Sequence, residues 1–136
     1  MKKQLLETLN RAGSYTLAVA AAMPEKEYSF KPEGAVWDFA ALLNHIGYGV
    51  QWWEANYLLG KETDWQPPAA KGNKKELLEY LVQVFQDLET TCKKLSLTAA
   101  AEIQGFHATL DHVTHHRGQA VMYLRCNGHT PPEYIY

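Results

Sequence analysis

A chain of 136 residues is long enough for one domain with its own core and too short for two comfortable ones, so residues 1–136 are expected to form a single domain. Its 46% hydrophobic and 21% charged residues have the balance of an ordinary soluble globular protein, which excludes disorder. A formal net charge of −2 removes the electrostatic case for nucleic acid or an anionic membrane as partner, and no apolar run approaches the roughly 20 residues of a membrane-spanning helix.

The first helix is expected over 3–22, where Leu5, Leu9, Ala12, Thr16 and Val19 recur at helical spacing. Lys2 and Lys3 precede it, but Glu7, Asn10 and Arg11 interrupt any signal-peptide core, so an amphipathic helix is the better reading. Pro24 stops it, and "YSFKPEG" reads as an extended connection. The second helix is expected over 35–59, its broad apolar side made by Phe39, Leu42, Leu43, Ile46, Val50 and Trp53, with Gly60 ending it.

"KETDWQPPAAKGN" reads as a loop. Lys71, Lys74 and Lys75 form a small solvated basic cluster at its end. The third helix is expected over 74–95 with Asn73 as N-cap and a seam of Leu77, Leu81, Val84, Leu88 and Leu95. The fourth is firm over 106–127, ended by Gly128, Pro131 and Pro132. Whether "LTAAAEIQG" joins that helix or forms a turn before it stays open at this level.

No stretch alternates with the period of a strand. Four helices, each with one apolar side, can bury those sides together only as a bundle, so the fold class is all-α, a four-helix bundle. Cys92 and Cys126 form no CxxC pair and lie beside leucines, where cysteine acts as a small buried hydrophobe. With no export signal, a reducing cytoplasmic location is expected.

The chemistry concentrates in "DHVTHHRGQ", residues 111–119. On a helix, His112 and His116 stand one turn apart on one side, where two imidazoles can grip one ion, while His115 and Asp111 point elsewhere. Thr109, Gln119 and Tyr123 continue that strip, beside the apolar Val113, Ala120 and Leu124. Two ligands do not make a zinc site, so a third histidine is required. His45 is the best candidate: Asp38, Leu42, Gly49, Trp52 and Asn56 share its face, and Gly49 leaves side-chain-free space near an imidazole.

Plainer readings exist for each feature. A lone buried histidine is usually a hydrogen-bonded boundary residue, and Trp52 and Trp53 serve as packing. Arg117 and Gly118 read as an ion-pairing residue and a close helix contact. "HVTHH" lacks the glutamate of HExxH proteases, no GxSxG elbow is present, and acidic residues fall mostly at helix ends or exposed faces, which weakens a di-iron carboxylate bundle.

"DHVTHHRGQ" resembles the HxxxHRGQ signature of the DinB/YfiT-like superfamily of four-helix-bundle metalloenzymes. "FKPEGAVWDFAALLNHIGYGVQWW" resembles that family's KP turn leading into a helix with an isolated histidine, and "GHTPPEYIY" resembles its Gly-x-x-Pro-Pro tail. The resemblance implies up-down-down-up connectivity, a homodimer, and one divalent metal, zinc or nickel, held by His45, His112 and His116. It also implies open positions for water or a small-molecule substrate, and a possible low-molecular-weight thiol cosubstrate such as bacillithiol, mycothiol or glutathione. Tyr48, Asp38 and Arg117 are the candidates for an acid or base.

The leading expectation is therefore a metal-dependent enzyme that activates a thiol or water, of thiol S-transferase or hydrolase type. The alternative is a non-catalytic metal-stabilised bundle, a small-ligand binding module or a stress-response partner protein.

Overall fold

The computed structural model describes residues 1–135. Four helices account for most of them: α1 (Lys2–Ala22), α2 (Phe39–Trp53), α3 (Lys74–Lys94) and α4 (Ala100–Cys126). Each buries the stripe its sequence spells: Leu5, Leu9 and Val19 from α1, Leu42, Leu43, Ile46 and Val50 from α2, Leu77, Leu81, Val84 and Leu88 from α3, and Phe106, Val113, Ala120 and Leu124 from α4. Each large side chain removed from water contributes roughly 1.5–3 kcal/mol, which is what holds the four helices together.

Cross-helix contacts give the direction of each helix. Lys2 Nζ at the start of α1 donates to the carbonyls of Lys93 and Leu95 at the end of α3, and Lys74 Nζ at the start of α3 donates to those of Ala21 and Met23. So α1 and α3 are antiparallel. Along α2, Asn44 meets Lys71, Gln51 meets Tyr80, and Glu54 meets Thr91, so α2 and α3 run the same way. Tyr123 of α4 donates to the Trp37 carbonyl while Gly105 abuts Tyr57, which sets α4 against α2. The order is up-down-down-up.

Two parallel neighbours need a crossover that returns the chain along the bundle. A ladder on α2 provides it. Asn44, Tyr48, Trp52 and Asn56 are spaced four apart, so they share one face of the helix. Asn44 exchanges two bonds with the Lys71 backbone (2.7 and 3.0 Å), the Tyr48 hydroxyl accepts from Gln66 N (2.8 Å), Trp52 Nε1 donates to the Thr63 carbonyl (3.1 Å), and Asn56 binds Thr63 twice. The 61–71 segment is thereby laid back along α2. Asn44→Ala removes both bonds to Lys71, and a loss of about 1–3 kcal/mol in urea unfolding is expected; an unchanged midpoint would deny the ladder its role.

Several element ends differ from the sequence expectation. α2 starts at Phe39 rather than 35, because Asp38 is its N-cap and accepts from Ala41 N at 2.8 Å. Its last turn, Glu54–Leu58, widens to a π-helix before Gly60 (φ +65°) ends the run. The 96–105 segment resolves into a short turn and then helix from Ala100, with Glu102 reaching back to Ser96 Oγ and Thr98 N. Lys74 and Lys71 are not simply solvated: the first covers the carbonyls at the end of α1, and the second lies over the Tyr80 ring.

One side chain contradicts the sequence reading and another adds to it. Cys126 is exposed, whereas Cys92 is buried, and burial pushes its thiol up to about 12. Glu54 is at a helix end, where acids were expected, yet it is buried; Thr91 Oγ1 donates to it, and burial holds its carboxyl above the usual range.

Candidate metal centre

α2 and α4 pack antiparallel, and the middle of one faces the middle of the other. His45 comes from α2, His112 and His116 from successive turns of α4. Their Nε2 atoms converge: His45 to His116 is 3.0 Å and His45 to His112 is 3.2 Å. One ligand atom from each of the three lies within 4.8 Å of the others. His115 is exposed and touches His116 only edge-on, His107 is exposed, and His129 pairs with Glu27 at 2.6 Å.

Gly49 makes the convergence possible. A Cβ at that position would stand 2.0 Å from His112 Cε1, so the His112 imidazole occupies the volume a side chain would fill. The glycine does leave room for an imidazole, as its place on the His45 face suggested. The ring it admits is the one from the opposite helix.

Desolvation by burial, with a smaller contribution from the nearby His116, lowers the His45 and His112 pKa values to about 4 each. Both are therefore neutral near pH 7, the form a metal ion requires. His116 Nδ1 faces Gln119 Oε1 at 2.8 Å, which places the proton on Nδ1 and leaves the Nε2 lone pair pointing at the other histidines.

The donor set fits a divalent cation. Imidazole nitrogens bound to one zinc at about 2.0–2.1 Å are separated by about 3.3 Å in a tetrahedral arrangement, close to the spacing seen. A shared cation would take the place of the N–H···N hydrogen bonds that link these Nε2 atoms at 3.0–3.2 Å. His112 Nδ1 is buried with no partner, in contrast to His116.

Comparison with known proteins bears on the family and the fold. The DinB superfamily model matches residues 8–120, and the DinB family model matches 106–136. The chain belongs to the DinB superfamily. A crystal structure of a DinB-like protein from Bacillus cereus is similar over 98% of this chain and 97% of that one, with a TM-score of 0.82 at 16% sequence identity. That likeness shows the fold, the DinB helical bundle. No curated protein matches the chain.

In this DinB bundle His45 of the three histidines lines a cavity of about 290 Å³ that lies between α2, the crossover loop and Tyr80 of α3. Trp37 stacks on His45 with ring centroids 4.4 Å apart, and Trp65 lies 5.5 Å from it. Neither tryptophan was singled out from sequence. Trp37 is fixed because Phe39 N and Ala40 N bond back to the Phe30 and Tyr28 carbonyls, closing the turn before α2. The signal for Trp65 was a large aromatic residue in a polar loop, which has no local reason to be there.

The three acid–base candidates separate. Tyr48 lines the cavity. Asp38 has its carboxylate committed to the α2 N-terminus. Arg117 is buried on another side of α4, donating to the Ala12 carbonyl with its guanidinium over Tyr15 (4.9 Å) and Tyr134 (5.7 Å). It is neither in the histidine cluster nor in an ion pair among the described residues, and Gly118 has no neighbour that a Cβ would meet. Arg117→Ala is expected to lower stability by about 1–3 kcal/mol through lost packing and a lost charged hydrogen bond, while metal affinity stays within about twofold of the parent. A metal titration alongside thermal unfolding separates the two effects.

Proposed function

We propose that this DinB protein is a metal-dependent enzyme acting on a small molecule, with His45, His112 and His116 as ligands of one divalent ion. Zinc or nickel is the expected ion. The reaction class is thiol transfer or hydrolysis, with a low-molecular-weight thiol or water as nucleophile. The observation that carries this reading is three converging imidazole nitrogens, one of them from His45, which lines an aromatic-walled cavity.

Three neutral ligands leave an ion's charge intact, so when bound it lowers the pKa of a thiol or water toward neutrality. The chain's own residues do the rest. Gln119 holds the His116 ring and its tautomer, Trp37 packs the His45 ring in place, and the crossover loop walls the cavity. Positioning of an electrophile there is the further contribution a transfer reaction needs.

A homodimer and a cytoplasmic location belong to the same reading. No helix among the described residues is long and apolar enough to cross a membrane.

The test is turnover of monochlorobimane with glutathione, cysteine and bacillithiol, using metal-loaded and chelator-treated protein. Conjugation above the uncatalysed rate, lost on chelation and in His112→Ala, supports the proposal. Stoichiometric metal without any thiol- or water-dependent turnover favours the metal-stabilised, non-catalytic bundle.

A further inference from the structure

The cavity beside the histidines has a chemistry that narrows what it can hold. Its walls are mostly ring side chains: Trp37, Trp65, Tyr48 and Tyr80, with Pro67 and Pro68. No Asp, Glu, Lys or Arg lines it among the described residues. In the metal-free protein an ionised ligand there would lose hydration with no lining charge to replace it. The nearby cation, Lys71 Nζ, sits 4.3 Å from the Tyr80 ring centroid and is not part of the wall.

The polar groups of the cavity are nearly all committed. Asn44 spends its amide on the Ala40 carbonyl and the Lys71 backbone. The Tyr80 hydroxyl donates to Gln51 Oε1 at 2.7 Å. The Tyr48 hydroxyl is different: it accepts from Gln66 N at 2.8 Å, and its own proton remains available. Trp65 packs edge-on to Tyr48, with ring centroids 4.6 Å apart, yet is still 43% exposed. A large aromatic surface held in place and left uncovered beside a cavity is what a flat ligand would cover.

We propose that this cavity binds an uncharged planar ring compound bearing an acceptor oxygen, with the ring against Trp65 and the Tyr48 hydroxyl donating to that oxygen. This deepens the reading above, since it names what the walls of the same site select: a neutral aromatic or conjugated carbonyl compound, with any anionic group left to the metal ion. Tyr48 is then the residue that selects and orients it.

Binding tests this without reference to turnover. Calorimetric titration of chelator-treated protein with 1-acetonaphthone, naphthalene and 1-naphthoate compares a neutral acceptor, a bare ring and a charged ring of similar shape. 1-Acetonaphthone is expected to bind at least about tenfold more tightly than 1-naphthoate, because the carboxylate loses its hydration in an uncharged cavity. Trp65→Ala should weaken it about three- to tenfold. Tyr48→Phe should weaken 1-acetonaphthone about fivefold and leave naphthalene unchanged.

Equal or tighter binding of 1-naphthoate overturns the proposal, since Lys71 would then be recruiting anions. So does an unaffected Trp65→Ala. Equal losses for naphthalene and 1-acetonaphthone in Tyr48→Phe would mean that the hydroxyl only holds the loop, and would overturn its selective role. Ring binding to a protein that takes up no metal removes the enzyme reading and keeps this one. Metal uptake without ring binding does the reverse.

Discussion

Gly49→Ala is expected to abolish most of the stabilisation that metal confers while barely changing the metal-free fold. The added methyl would lie 2.0 Å from His112 Cε1 and 2.9 Å from its Nε2, so the imidazole has to swing away. For the fold itself, two effects oppose each other. Alanine gains up to about 1 kcal/mol of helix propensity over glycine, and overpacking costs about 1–3 kcal/mol before the ring relaxes. The net loss is about 0–2 kcal/mol.

For the metal there is no such offset, because a ligand displaced from its geometry costs at least the roughly 10–100-fold in affinity seen when supporting residues are lost. Each factor of ten removes about 1.4 kcal/mol of metal-linked stability. Thermal unfolding with and without added zinc measures both quantities on one sample. A variant that keeps the parental zinc-induced shift would show that His112 is not a ligand.

The second large effect comes from the histidines themselves. At a metal concentration 100 times its Kd, binding adds about 2.7 kcal/mol. For 136 residues that is a rise of roughly 9 °C in Tm. His45→Ala, His112→Ala and His116→Ala are each expected to erase that rise, whereas His107→Ala, His115→Ala and His129→Ala should retain it.

Acid should act in the same direction on the metal-free fold. His45 and His112 have folded pKa values of about 4, depressed from the ordinary 6.5 mainly by burial. Between those values the unfolded chain binds more protons than the native one, so stability is fully present above about 6.5 and falls as pH drops toward 4. Unfolding midpoints across pH 4–7 for the parent and for a His45→Gln, His112→Gln double variant test this. The variant should lose much of the slope in that window.

How much of this was legible before the fold is clearest at particular residues. The bundle could be read because each helix carries one apolar stripe, and the stripes alone decide burial. The histidine set could be read because His112 and His116 are one helical turn apart and His45 interrupts an otherwise apolar helix. The reason for Gly49 could only be half read: a glycine signals space, but which ring fills it depends on how α2 and α4 pack.

Trp65 was illegible for a related reason. Its position follows from the Asn44, Tyr48, Trp52 and Asn56 ladder, whose partners lie in a loop with no helical periodicity to reveal them. Arg117 misled because it adjoins His116 in sequence. A residue next to a ligand on a helix points about 100° away from it, and here that direction leads to Tyr15 and Tyr134. Glu54 lay hidden in a helix end, where an acid is normally solvated, because the last turn of α2 turns it inward against Thr91.

The central claim is that His45, His112 and His116 form one metal site. The most direct test is elemental analysis of the protein purified without an affinity tag, paired with zinc and nickel titration of the chelated form. Close to one divalent ion per chain, lost in His112→Ala, is the expected result. Protein that carries none, and whose Tm neither zinc nor nickel raises, would contradict it.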